Sequence, residues 1–288
     1  MKKIFSLLII LLFSVLCKAQ VDSVAQQQDS VAPERSTLTF GIIYANNANY
    51  YGQKAEEKMA YVAAAASYRH KSGIYVNGVA YRLLNDSNRL VSAYSAGAGI
   101  DFKLSKRLSV DLSYNHTFYP KLSPFLQAAN PHMASVSVSH HGWLTTSLGG
   151  DYAFGKTNDF FSTFGISKQI NLFSISDKDV VTLTPLLDVT GGTQRFYKYY
   201  ITEKSVRDSI LGLLSPVLGT PSGSGSTTTI KTVTSFDILS YNLKLPLAYN
   251  RSSYMIELAC QLSLLGQKAQ SDPGKLNSFF TASFYYQL

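Results

Sequence analysis

The chain has 288 residues, of which 45% are hydrophobic and only 15% charged. A soluble domain usually carries about 25% charged residues, so an ordinary water-facing surface is excluded. Two cysteines are too few for a disulfide scaffold, and no heptad or collagen period is present. The formal charge of +8 is dispersed along the chain, which argues against a nucleic-acid interface.

Lys2 and Lys3 precede an apolar run from Ile4 to Leu16, and Cys17-Lys18-Ala19 supplies a small residue for cleavage. Residues 1–19 therefore read as a secretory signal peptide. Leu16 is not the small residue that lipidation of Cys17 would want. Removing Lys2, Lys3 and Lys18 takes the formal charge to +5 and leaves Cys260 alone. Residues 20–36 are polar and Gln-rich, with Pro33, and read as a flexible lead-in.

From Thr37 to Leu288 the pattern has period two. The predicted strands are 37–46, 59–69, 73–83, 90–104, 107–119, 134–154, 159–173, 180–189, 193–201, 232–249, 253–265 and 278–288. A turn is placed at Thr190-Gly191-Gly192, because a continuous strand would set Arg195 on the face of Leu187 and Val189. In 108–118, Leu108, Val110, Leu112, Tyr114, His116 and Phe118 oppose Ser109, Asp111, Ser113, Asn115 and Thr117. Successive strand side chains face opposite ways, so one face is apolar and one polar. For 73–83 neither face is plainly polar.

Strands of ten residues or more suit a tilted membrane crossing. Tyr68 with Tyr75, and Tyr249 with Tyr254, flank turns as interfacial girdles would. Connections alternate in length. The short ones are 70–73, 105–107, 155–159 and 250–253; the long ones are 47–58, 120–134, 202–231 and 266–277. The fold expected is an all-β, transmembrane, antiparallel up-and-down β-barrel over 37–288. It has 12 strands, with ten as the alternative, because both ends on one side require an even count.

Phe280, Ala282, Phe284, Tyr286 and Leu288 share one face of a strand running to the last residue. This resembles the C-terminal signal of outer-membrane β-barrels, although Leu288 stands where that family most often has Phe. The segment from Gly97 to Tyr114 resembles their strand–turn–strand hairpins. The signal ending Ala19-Gln20 resembles exported proteins of the Bacteroidetes kind. The resemblance implies location in the outer membrane. It also implies contact with its lipid, and recognition of the final strand by barrel-assembly machinery.

The polar face predicts a lumen lined by Asp101, Lys103, Asp111, Asn115, Lys244, Glu257 and Gln261. The function expected is a small channel or transporter-like pore for modest solutes. A plugged barrel that contacts a partner through its external loops is the alternative, and a membrane-embedded lipid hydrolase the third reading. No catalytic set stands out. Asn115-His116 lacks a marked serine, and His132, His140 or Asp86 qualify for a rim hydrolase only by composition. Adjacent His140 and His141 face opposite ways on a strand and cannot grip one metal, so no metal site is read. The glycine-containing stretches lack the context of a phosphate or dinucleotide site, so no cofactor is read either. In the loop 202–231, Val206, Ile210, Leu213 and Val217 recur at helical spacing. They predict a short amphipathic helix restricting the outer mouth.

Overall fold

A computed structural model describes residues 35–54, 58–86, 90–120, 130–193, 236–267 and 275–288. The predicted signal peptide, nearly all of the predicted lead-in, the predicted strand 193–201 beyond Thr193, and the predicted helix at 205–217 lie outside these residues.

The strands are β1 (Thr37–Ala45), β2 (Tyr61–Arg69), β3 (Ile74–Leu83), β4 (Ala93–Lys103), β5 (Leu108–Phe118), β6 (His132–His141) and β7 (Thr145–Phe154). They continue with β8 (Asn158–Ser167), β9 (Ile170–Phe173), β10 (Asp179–Leu183), β11 (Leu186–Thr193), β12 (Phe236–Arg251), β13 (Tyr254–Leu265) and β14 (Leu276–Gln287). All pairings are antiparallel. β1 pairs with both β2 and β14, and β11 joins β8 to β12. This closes a ring of twelve strands. The short β9 and β10 continue β8 and β11 past the ring's edge as a hairpin, with β10 pairing with the end of β12. Pro185 lies at the break between β10 and β11; it has no N–H to give to a ladder.

The count of twelve agrees with expectation, but two predicted boundaries are wrong and offset each other. Residues 134–154 are not one strand. The chain turns at 142–144, where Gly142 N donates to the Leu144 carbonyl at 3.1 Å. No turn occurs at 190–192: Gly191 and Gly192 lie inside β11, with partners on both sides. A Cβ on Gly192 would fall 2.4 Å from the Phe161 ring, and one on Gly191 2.8 Å from the Phe236 ring. These glycines make room for aromatics, at an irregularity in the pairing with β12 between Thr190 and Gly191, and do not reverse the chain. The connection 155–157, expected beside the other short turns, lies at the opposite end with the longer loops.

Turns 70–73, 104–107, 142–144, 174–178 and 252–253 share one end with Thr37 and Leu288. Gly73 has φ of 89° in the first of them, a left-handed position that glycine takes without strain. The outer surface is a belt of Phe40, Ile42, Leu112, Val136, Leu148, Phe164, Leu258 and Phe284, all exposed. Tyr94 stacks on Phe118 at one edge of the belt, and Tyr249 lies beside Tyr254 at the other. An apolar band between aromatic girdles is the exterior of a transmembrane barrel. Tyr75 is not part of a girdle; it faces inward.

Candidate functional site

The inner face starts from the turn end as a small, polar surface. Ser109, Ser113, Ser137, Ser147 and Gly149 are partly exposed to the interior. Among them sit charged groups held by partners across the next strand. Arg69 on β2 pairs with Asp101 on β4 and lies over the Tyr75 ring at 4.9 Å. Tyr75 Oη lies 2.9 and 3.1 Å from the two Asp111 carboxylate oxygens and donates there. His141 Nε2 is 3.0 Å from Ser109 Oγ. Among the described residues no carboxylate orients that histidine, so the pair is not a catalytic triad.

Toward the loop end the same inner face is buried. Ala153 and Ser263 have no exposure, and Phe161, Leu83 and Leu239 about 1%. The cause is the stretch 46–54 of the connection after β1, which folds into the barrel. Tyr50 and Gln53 exchange backbone hydrogen bonds of 2.9 and 3.0 Å, closing a two-residue turn. Its central residues, Tyr51 and Gly52, have φ of 49° and 83°. Two successive positive φ values make a type I′ hairpin turn, which glycine favours and tyrosine does not. A non-glycine residue held left-handed costs on the order of 1–3 kcal/mol, and the surroundings must fix it there.

They do so from five strands. Tyr51 Oη donates to Asp151 on β7 at 2.7 Å, and its ring stacks on Phe161 of β8 at 4.2 Å. Ser240 Oγ on β12 donates to the Tyr51 carbonyl at 2.8 Å. Asn277 Nδ2 on β14 donates to the Gly52 carbonyl at 3.0 Å. Asn49 Nδ2 donates to Gln261 Oε1 on β13 at 2.9 Å, while Asn49 Oδ1 accepts from Gly52 N. In the ring of twelve, β7 lies diametrically opposite β1, so this hairpin spans the interior from wall to wall. Burial, with the charge of Asp151 adding to it, pushes the Tyr51 phenol up; burial and Asp159 do the same for Tyr50. Both phenols therefore stay protonated, and that of Tyr51 donates to Asp151.

A cluster of Tyr50, Met59, Leu83, Ala93, Ala153, Phe161 and Leu239 fills the space around the tip. Behind it, Asn130 Nδ2 donates to Asp159 Oδ2 at 2.7 Å, and Asp159 also accepts from Thr193. A cavity of about 170 Å³ persists beside the hairpin, lined by Asn49, Tyr61, Tyr81, Thr117 and Tyr119.

The seven residues predicted to line a lumen all occupy inward positions, at different levels. Asp101 and Asp111 belong to the open half, and Lys103 is exposed at the turn-end rim. Asn115 lies opposite Gly97. Lys244 Nζ pairs with Asp188 at 3.0 Å, and Asn242 also donates to Asp188. Gln261 bridges from Asn49 to Asn242 at 3.3 Å and Ser263 at 2.8 Å. Glu257 is partly exposed on β13. Sequence reasoning missed Asn49, Tyr50, Tyr51 and Gly52, and their receivers Asp151, Ser240 and Asn277. The available signal was Asn47-Ala-Asn-Tyr-Tyr-Gly52, a turn-rich stretch with two aromatics inside a loop.

No family model and no curated protein matches the chain. Among solved structures, an outer membrane channel from Pseudomonas putida F1 is similar, with TM-score 0.47 and 10% identity over 93% of this chain and all of that one. The KdgM porin has TM-score 0.46 and 8% identity over 87% of this chain and 98% of its own. The NanC porin has TM-score 0.45 and 7% identity, over 86% of this chain and 100% of that one.

Proposed function

We propose that the protein is an outer-membrane channel of restricted opening. Its turn end is a water-filled vestibule and its loop end is closed by the hairpin at 46–54. The observation that carries this reading is the Tyr50–Gln53 tip, held against Asp151 and Phe161 on the far wall. A belt of exposed apolar side chains supports the membrane setting, where every backbone group of a closed barrel is satisfied. The apolar packing around Tyr50 and Phe161 favours the plugged barrel as the second reading, in which the hairpin never moves.

The vestibule supports a preference for small cationic or neutral solutes. Arg69 offsets Asp101 and Lys244 offsets Asp188. Asp111 and Glu257 of the open half carry no ion pair among the described residues and outnumber Lys103 at the rim, so the wall there holds an excess of negative charge. A cleft with an excess of one sign of charge raises the local concentration of the opposite sign.

The test is planar-bilayer recording of the folded chain beside a variant with residues 49–53 replaced by Gly-Ser. The channel reading expects small, infrequent openings in the parent and steady, larger, cation-favouring steps in the variant. Silence from both, with folding verified by heat-modifiable gel mobility, would contradict it and leave the plugged barrel.

A further inference from the structure

The outer face carries a polar cluster near the loop end that the apolar belt does not account for. His116 on β5 stands directly opposite His132 on β6, next to the loop end. Both share the outward face with Tyr114 and Phe118. His116 Nδ1 and His132 Nδ1 are 3.1 Å apart, and Tyr114 Oη lies 2.7 Å from His132 Nδ1. An imidazole nitrogen holds one proton or one lone pair. His132 Nδ1 therefore cannot make a full hydrogen bond to both neighbours.

The rings are fixed by aromatic packing. His132 stacks on Phe154 at 4.9 Å with 11° between planes, and His116 meets Phe118 edge-on at 4.3 Å. The two histidine rings lie 4.3 Å apart. Two imidazole nitrogens each about 2.0–2.1 Å from one ion sit about 3.1 Å apart when the angle at the ion is near 100°. The observed separation is that of two neighbouring ligands on one metal. A cleft of about 570 Å³, bordered by Tyr94, His116, Phe118 and Pro131, opens beside the cluster.

We propose that Tyr114, His116 and His132 form a binding site for a divalent transition-metal ion such as Zn²⁺ or Cu²⁺ at the loop-end rim. Imidazole nitrogen suits these ions, whereas Mg²⁺ and Ca²⁺ prefer carboxylate and carbonyl oxygen. Each ring binds through its Nδ1 lone pair and keeps its proton on Nε2. The phenol releases its proton to solvent when it becomes a ligand. Further positions on the ion stay open to water. A bound ion ties β5 to β6 at the base of the connection 119–131. The site is independent of whether the barrel conducts.

Cu²⁺ titration of the folded full chain in detergent micelles tests this, in a background where His70, His140 and His141 are Asn. The expected result is one ion per chain, with a phenolate-to-copper charge-transfer band in the visible that Tyr114→Phe removes. His116→Gln and His132→Gln, each shown to fold by heat-modifiable mobility, should weaken binding by about tenfold or more. Absence of binding in the parent, absence of the band, or equally tight binding in both Gln variants would overturn the site.

Discussion

On β7, Ser147 and Ala153 project from the same face of one strand. Ser147 is partly exposed to the interior, whereas Ala153 is completely buried. Nothing in strand geometry separates them. The difference comes from a segment far away in sequence, the hairpin at 46–54, which crosses the barrel at the level of Ala153 and leaves Ser147 facing a vestibule. Inward position on a membrane barrel thus has two meanings. In the turn-end half it means a wall of Ser, Gly and Asp available to water. In the loop-end half it means a core like that of a soluble domain, with Phe161, Leu239 and Met59 about 1% exposed.

The sharpest way to break this comparison is to remove a large side chain from one half and a small one from the other. Phe161→Ala leaves a cavity where Tyr50 and Tyr51 pack. It should cost roughly 3–5 kcal/mol in urea unfolding from lipid vesicles. Ser137→Ala, on the inner wall of the open half, should fall within about 0.5 kcal/mol of the parent. Similar losses for both would show that the two halves are packed alike.

The next contrast separates inside from outside. Leu112 is 42% exposed in the outer belt, and Leu112→Arg should destabilise by roughly 2–4 kcal/mol near the bilayer midplane. Ser113→Arg points into the vestibule beside Asp111 and should assemble close to normally. The yield of heat-modifiable barrel measures both.

Two glycines sharpen the comparison further, because both have positive φ but sit in different halves. A Cβ on Gly52 would fall 2.7 Å from the Ser240 side chain, and one on Gly73 would strike the Asp101 carbonyl. Gly52→Ala and Gly73→Ala should each cost on the order of 1–3 kcal/mol. Only Gly52→Ala should raise conductance, since only that turn closes the mouth. Among changes to the hairpin and its receivers, the smallest expected effect is that of Asp151→Asn. It keeps an acceptor for Tyr51 but loses its charge, and should cost about 1 kcal/mol with a modest rise in opening frequency.

The exterior was legible because lipid imposes a rule on every second residue, and Leu112, Leu258 and Phe284 obey it. The interior was legible only where it stays open. Asp101 and Asp111 declare a wet face, but the filled half uses apolar residues on the inside. That is why β3 looked apolar on both faces: Tyr81 and Leu83 face the filled half, while Ile74 and Val76 face outward. The turn at 142–144 was hidden because Trp143 and Leu144 imitate strand residues. Trp143 is instead 78% exposed, with Lys168 Nζ 4.3 Å over its ring. The false turn at 190–192 was set at two glycines to keep Arg195 off the face of Leu187 and Val189. Their reason is lateral, the rings of Phe161 and Phe236 on neighbouring strands. The closing hairpin escaped notice because its partners lie 100 or more residues away, as with Tyr51 and Asp151. The His116–His132 pair depends likewise on the β5–β6 register, which no local pattern reveals.

Thiol reactivity on β7 tests the two-halved interior most directly. In a Cys260→Ser background, Ser147→Cys and Ala153→Cys would be exposed in folded barrels to a small water-soluble maleimide. Rapid labelling at 147 and protection at 153 are expected, with protection lost when residues 49–53 are replaced by Gly-Ser. Equal labelling at both positions in the folded parent would show that the hairpin does not lie across the barrel.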